Sequence, residues 1–249
     1  MAEGEIFVAY QPKVMLQSGT LMGMEALARW NSPGFGVVAP DQFIPLAEHC
    51  GQIAALTDLI LHQALATCAR MRRSQAKLTV AVNISPLLLD DPLLPDRIDI
   101  ALKRAGLPPE ALVAEITESR VITDTARASA TLSLLRARGI ACAIDDFGTG
   151  HASLLTLLRL PFSELKIDRA FVAACETDRD AEQIVRATIG LAREMRLSVV
   201  AEGIETAGTE ALLRRLGCTV GQGFRYGRPD NETEMLGRCT QLVKLLTPA

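Results

Sequence analysis

Eight short β-rich runs alternating with helical patterns set the strongest limit on what this chain can fold into. They lie at Ile6–Val14, Leu21–Arg29, Leu78–Ser85, Leu112–Thr117, Ala141–Asp146, Glu164–Asp168, Ser198–Gly203 and Thr219–Gly223. The clearest helical pattern runs from Asp178 to Arg196. There Ile184, Thr188, Leu191 and Met195 are expected on one apolar face, while Arg179, Glu182, Arg186 and Arg193 carry charge. Gly106, Gly139 and Gly217 read as helix stops ahead of a strand. Repeated strand–helix units imply a parallel sheet. Eight strands in 249 residues imply closure into an α/β barrel of the TIM type. The first connection breaks the pattern. Only Leu16–Thr20 separates the first two strands, too few residues for a parallel crossover. The expected fold is therefore a modified (β/α)₈ barrel that opens on an antiparallel hairpin.

Composition removes several classes. With 49% apolar and 22% charged residues the chain is not intrinsically disordered, and it reads as one domain over residues 1–249. A net charge of −3 gives no basic field for a nucleic-acid polymer. No uncharged apolar run approaches the roughly 18 residues of a membrane span. Six cysteines form no CxxC pair and read as free thiols in a reducing cytosol. His49, His62 and His151 are too scattered for a histidine-based zinc site. No signal peptide opens the chain, and its abrupt start suggests a domain cut from a longer protein.

Strand alternation assigns the interior. In Val80–Ser85, Val80, Val82 and Ile84 should face the helices, so Ala81, Asn83 and Ser85 face inward. In Glu164–Asp168, Lys166 and Asp168 face inward by the same rule. Applied throughout, the rule collects Glu25, Asn83, Glu115, Asp145, Lys166, Glu202 and Gln222. Each could be a structural polar residue taken singly. Seven at the same end of seven strands point to an active site at the barrel mouth. Glu25, Glu115, Asp145, Asp146 and Glu202 bring five carboxylates there, against two cations, Lys166 and Arg29. Crowded carboxylates must protonate or find cations. An all-oxygen set with one amide suits Mg²⁺ or Mn²⁺. Two such ions are a standard device for attack on phosphate esters. Gly148-Thr-Gly150 lacks the pattern of a phosphate-cradling loop.

At these residues the sequence resembles the EAL domain family of cyclic di-GMP phosphodiesterases. The resemblance is carried by Glu25-Ala26-Leu27 with Arg29, Tyr10-Gln11-Pro12, Phe43–Glu48, Asn83–Ser85, Glu115–Glu118, Asp145–Gly150, Leu165–Asp168, Ala201–Glu205 and Gln222-Gly223. It implies hydrolysis of cyclic di-GMP to linear pGpG with Mg²⁺ or Mn²⁺; Ca²⁺, which prefers longer bonds and looser geometry, is expected to inhibit. It implies that Glu25, Asn83, Glu115 and Asp145 ligate metal, with Asp146 and Glu202 at a second ion. Lys166 resembles the lysine that activates the attacking water, and Gln222 a residue that holds it. Leu27 and Arg29 resemble substrate contacts, and Gln11 a contact to the nucleotide. Asp146 also borders the substrate. Glu118 resembles the glutamate that fixes the Asp145–Gly150 loop, and Glu205 a supporting residue. His151-Ala152 and Phe224–Tyr226 depart from the usual pattern. A homodimer through the leucine-rich stretch after the loop, and an upstream sensory or diguanylate cyclase domain, are implied partners. A non-catalytic cyclic di-GMP receptor or protein-interaction module is the alternative. An unrelated Mg²⁺ barrel enzyme would not explain the ordered motifs.

Overall fold

The structure, a computed structural model, describes residues 4–74, 77–117, 125–148 and 154–237. Nine strands form one sheet: β1 (Ile6–Met15), β2 (Leu21–Ser32), β3 (Gly36–Val38), β4 (Thr79–Asn83), β5 (Leu112–Thr117), β6 (Ala141–Phe147), β7 (Glu164–Ile167), β8 (Ser198–Ala201) and β9 (Val220–Gln222). The order is β1-β9-β8-β7-β6-β5-β4-β2-β3, and β1 also pairs with β2. Eight strands therefore close into a barrel. Strand β1 runs antiparallel to both of its neighbours, β2 and β9. All other pairs within the barrel are parallel. The short Leu16–Thr20 connection dictates this reversal, because it can only fold back on itself. Gly19 closes the turn in the left-handed region at φ 71°. The ninth strand, β3, is not among the sequence-read runs. It has three residues and follows a Pro33-Gly34-Phe35 turn that masks any alternation.

The helices are α1 (Pro40–His49), α2 (Ile53–Met71), α3 (Leu94–Ala105), α4 (Thr125–Ala137), α5 (Leu154–Arg159), α6 (Arg169–Ala174), α7 (Arg179–Glu194) and α8 (Ala207–Leu216). Helix α7 starts where the Asp178 carboxylate accepts the Asp180 N–H at 2.8 Å. Its buried stripe is Ala181, Val185, Thr188, Ile189 and Ala192. Of the expected face, Thr188 is buried and Leu191 and Met195 pack partly buried against the core, whereas Ile184 is exposed and the most buried stripe lies one position on. Smaller side chains at 181, 185 and 192 let the helix approach the barrel closely, which favours this stripe over the bulkier one. Gly106 and Gly217 cap α3 and α8 in the left-handed conformation, as expected, and Gly139 follows α4 at φ 90°.

The alternation rule divides the core. Val80, Val82 and Ile84 pack under the helices with Leu112, Ala114, Ile116, Leu165 and Ile167. Each such buried side chain contributes about 1.5–3 kcal/mol. The opposite face supplies a separate small cluster, Ala81, Val113 and Ala143, inside the barrel. These short side chains leave the interior free for longer polar ones. Cys68, Cys142, Cys175 and Cys218 are buried free thiols, whereas Cys50 is exposed. Cys239 lies outside the described residues. Among the described residues no helix is long and apolar enough to cross a membrane.

Candidate active site

Lys166 is the centre of the site. Its side chain is 0% exposed, and Nζ lies 2.7 Å from Glu202, 2.8 Å from Glu115, 3.1 Å from Asp145 and 3.7 Å from Glu25. These carboxylates come from β2, β5, β6 and the residue after β8. Residues far apart in sequence thus converge because alternate positions of closed strands share the interior. Burial alone would pull the Lys166 ammonium down. Asp145, Glu115, Glu202 and Glu25 outweigh burial and hold it well above the ordinary lysine range. Strand parity puts Asp168 on the same face as Lys166, but Asp168 is not among these four ion-pair partners. Asp168 follows the end of β7 and caps α6, accepting the Ala170 N–H at 2.8 Å.

A line of amides fixes the first carboxylate. Asn83 donates to one oxygen of Glu25 at 2.9 Å, and Gln222 donates to the other at 2.6 Å. Gln222 also donates to Gln11 at 2.9 Å, and Gln11 donates to the Gly227 carbonyl at 3.2 Å. The Gln222 carbonyl oxygen is buried and has no hydrogen-bond partner among the described residues. Gly223 lets the loops after β8 and β9 touch, and Gly203 lets the loop after β8 approach the start of α6. A Cβ on Gly223 would sit 2.2 Å from the Ile204 carbonyl oxygen, and one on Gly203 2.6 Å from Arg169 Cβ. This close approach brings Glu202 and Gln222 to the same mouth.

Two neighbouring aspartates face the site although strand alternation should separate them. The pairing of β6 with β7 shifts register between Ile144 and Phe147. Asp146 sits there in the left-handed region at φ 56°. The irregularity turns Asp146 back toward Asp145, whose carboxylate accepts the Asp146 N–H at 2.9 Å. Burial, then the charges of Asp145 and Asp168, push the Asp146 carboxyl up to about 6. A raised carboxyl favours folding below its unfolded value and opposes it as pH rises through about 6. In chelator, Asp146→Asn is expected to melt higher than the wild type at pH 8 and to lose that advantage near pH 4. Parallel thermal melts at the two pH values check it.

Alternation on β1 and β7 also places two charged residues that the sequence reading passed over, Lys13 and Glu164. Lys13 shares a strand face with Gln11, and Glu164 shares one with Lys166, so the signal was present. Lys13 is 2% exposed and lies 3.0 Å from Glu115 and 2.9 Å from Glu164. Burial would raise the Glu115 carboxyl, but Lys166 and Lys13 outweigh it and hold the group down at about 2. Glu25, Asp145 and Glu202 are instead pushed up, chiefly by burial. One ammonium cannot neutralise all of them.

The charge count therefore changes. Among the described residues six carboxylates face two ammonium groups, which leaves four negative charges for protons or cations to balance. Carboxylate oxygens of Glu25, Glu115 and Asp145 lie within 4.8 Å of one another, as do those of Asp145, Asp146 and Glu202. Two such groups sharing Asp145 fit two hard divalent ions. The Asn83 carbonyl oxygen would add a neutral donor beside Glu25.

Two clefts flank this cluster and share Leu27 and Asp146. One, about 460 Å³, lies over the carboxylates and is lined by Gln11, Arg169, Glu205 and Phe224 among others. The other, about 600 Å³, is mostly apolar and is lined by Arg29, Ile44, Asn83 and Ser85 among others. Arg29 thus belongs to the adjoining cleft rather than to the carboxylate cluster, and its guanidinium donates to the Ala28 carbonyl at 2.9 Å. Glu205 is exposed at the rim. Glu118, His151 and Ala152 lie outside the described residues.

A family model described as the EAL domain matches residues 1–229. The chain belongs to the EAL domain family. The bifunctional diguanylate cyclase/cyclic di-GMP phosphodiesterase MucR of Pseudomonas aeruginosa is 42% identical over 236 residues, 93% of this chain and 34% of MucR. The cyclic di-GMP phosphodiesterase RocR of the same organism is 35% identical over 95% of this chain and 60% of its own length. The chain thus spans from a third to three fifths of these two relatives. The solved PaMucR phosphodiesterase in complex with c-di-GMP superimposes with a TM-score of 0.86 at 41% identity, covering 93% of this chain and 94% of that one. The EAL domain of Mycobacterium smegmatis DcpA gives 0.82 at 32% identity, with both chains fully covered.

Proposed function

We propose that this EAL domain hydrolyses cyclic di-GMP to linear pGpG with two divalent ions, Mg²⁺ or Mn²⁺. The observation that carries the reading is the convergence of Glu25, Asn83, Glu115, Asp145, Asp146, Lys166, Glu202 and Gln222 on one mouth. In support, MucR and RocR are named as cyclic di-GMP phosphodiesterases, and the solved PaMucR phosphodiesterase is a c-di-GMP complex. Glu25, Asn83, Glu115 and Asp145 would hold one ion, and Asp145, Asp146 and Glu202 the other. When bound, the ions supply charge neutralisation at the phosphate and an activated water.

The chain's own groups supply direction. The Gln222 carbonyl oxygen, buried and lacking a partner, accepts a hydrogen bond from the attacking water. Lys166 donates to that water and faces the charge that develops on phosphorus. Leu27 stands where the two clefts meet, so one nucleoside half of the cyclic dinucleotide lies in each. Arg29 meets a phosphate from the adjoining cleft, and Gln11 lines the second. Glu205 would support the rim, and the role of Glu118, outside the described residues, rests on the family resemblance alone. The partner proposals are a homodimer through the region after the loop, where α5 exposes Leu154 and Leu158, and a sensory or cyclase domain in the same protein.

The test is incubation of the pure chain with cyclic di-GMP and Mg²⁺, with pGpG followed by chromatography. Excess chelator is expected to abolish product, and Mg²⁺ or Mn²⁺ to restore it. Ca²⁺ is expected to inhibit, because its longer bonds and looser geometry misplace the reacting groups. Binding of cyclic di-GMP without product would make the chain a receptor, and full activity in chelator would remove the metals.

A further inference from the structure

Lys13 takes no part in the chemistry proposed above, yet it occupies a costly position. An ammonium group moved from water into a barrel interior is strongly destabilising unless carboxylates surround it. Lys13 meets that condition with two. Its Nζ donates to Glu164 at 2.9 Å and to one oxygen of Glu115 at 3.0 Å. The other oxygen of Glu115 receives Lys166 at 2.8 Å. Glu164 is itself held from its far oxygen by the Ser198 hydroxyl at 3.3 Å. A chain of alternating charge therefore runs from Ser198 through Glu164, Lys13 and Glu115 to Lys166.

The chain has a directional consequence. A glutamate carboxylate turns about its last torsion with little resistance. A Glu115 with both oxygens free could turn, or could present both to one cation. Lys13 removes that freedom by pinning one oxygen. Glu164 in turn stops Lys13 from swinging toward Glu25 or Asp145. Because Lys13 and Glu164 carry opposite charges, the pair adds no net charge to the mouth. What it adds is orientation.

We propose that Lys13 is a positioning residue for the cation site: it holds one oxygen of Glu115 so that the other is the single atom offered to Lys166 or to a divalent ion. The inference rests on the metal reading above. The competing account is a self-contained structural ion pair between Lys13 and Glu164, with Glu115 a bystander. Neither the grouping of the carboxylates nor strand alternation alone separates the two accounts, but a paired substitution does.

Lys13→Met combined with Glu164→Gln removes both charges and keeps side-chain volume. Mn²⁺ binding to the whole chain is measured by titration calorimetry without substrate, alongside thermal melting. The double variant is expected to melt close to the wild type and to bind Mn²⁺ about 10–100-fold more weakly, the scale for loss of a group that orients a metal ligand. Glu164→Gln alone keeps the Lys13–Glu115 contact and is expected to weaken Mn²⁺ binding much less than the double variant does. Lys13→Gln with Glu164→Gln repeats the comparison with side chains that can hydrogen-bond each other, should the first pair fail to fold. Wild-type affinity in a folded double variant would overturn the proposal, and so would equal weakening in Glu164→Gln alone. A wild-type chain that bound no Mn²⁺ would overturn the metal reading itself, a result distinct from either of these.

Discussion

Glu115→Gln is expected to abolish hydrolysis and to cost several kcal/mol of stability. Glu115 is fully buried and receives both interior ammonium groups, Lys13 on one oxygen and Lys166 on the other. Glutamine matches the shape but not the charge, and its amide nitrogen would face an ammonium. Removing one partner from a buried ion pair costs about 3–5 kcal/mol, because the remaining charge stays buried. In a chain of this size that is a fall in melting temperature of roughly 6–20 °C. The pH dependence follows from the depressed carboxyl, which lies at about 2 against an ordinary 4.5. Such a group stabilises the fold above its unfolded value, and the contribution is lost as pH falls through 4.5 toward about 2. The gap in melting temperature between wild type and variant is therefore expected to be widest above pH 5 and to close in acid. On the proposed metal reading, in which Glu115 would hold an ion that neutralises charge at the phosphate, turnover is expected to fall at least about 100-fold. Wild-type turnover would remove Glu115 from the site.

Lys166→Met is expected to lower turnover by about 10²–10⁴-fold, the range for a group that manages a proton in the transition state. Cyclic di-GMP binding is expected to survive, because Leu27, Arg29 and the carboxylate ligands remain. The structure adds a second consequence. Lys166 lies within 4.0 Å of four carboxylates, so its loss leaves them facing one another with only Lys13 nearby. Those groups must then take up protons or cations. In chelator the variant is expected to melt well below the wild type. In excess Mg²⁺ much of that loss should return, because an ion bound only by the folded state stabilises it by mass action. Melting with and without Mg²⁺, together with pGpG formation on the same preparation, tests both parts. A variant with normal turnover and no Mg²⁺-dependent melting would make Lys166 an ordinary buried ion-pair partner.

The sequence by itself determined the barrel, the reversal of its first strand and the identity of the inward polar residues. Those features depend on local rules. Side chains alternate every second residue, and a five-residue connection cannot make a parallel crossover. The same rules reach Lys13 and Glu164, which share faces with Gln11 and Lys166. They were passed over because each sits one step deeper than the residues at the mouth. Tertiary structure alone decided which charges meet. Lys13 and Glu164 are 151 residues apart and touch only because β1 closes the barrel between β2 and β9. The register shift in β6 could not be read from Asp145-Asp146, because a bulge depends on the neighbouring strand as much as on its own residues. Asp168 looked like a partner for Lys166 on strand parity, but β7 ends first, and its carboxylate serves the open N–H groups at the start of α6. The stripe that α7 buries was likewise settled by packing, since adjacent faces of an amphipathic helix differ by one residue and only the barrel surface chooses between them. Periodicity is written along the chain; contact between distant charges depends on closure and register, which form only when the strands pair.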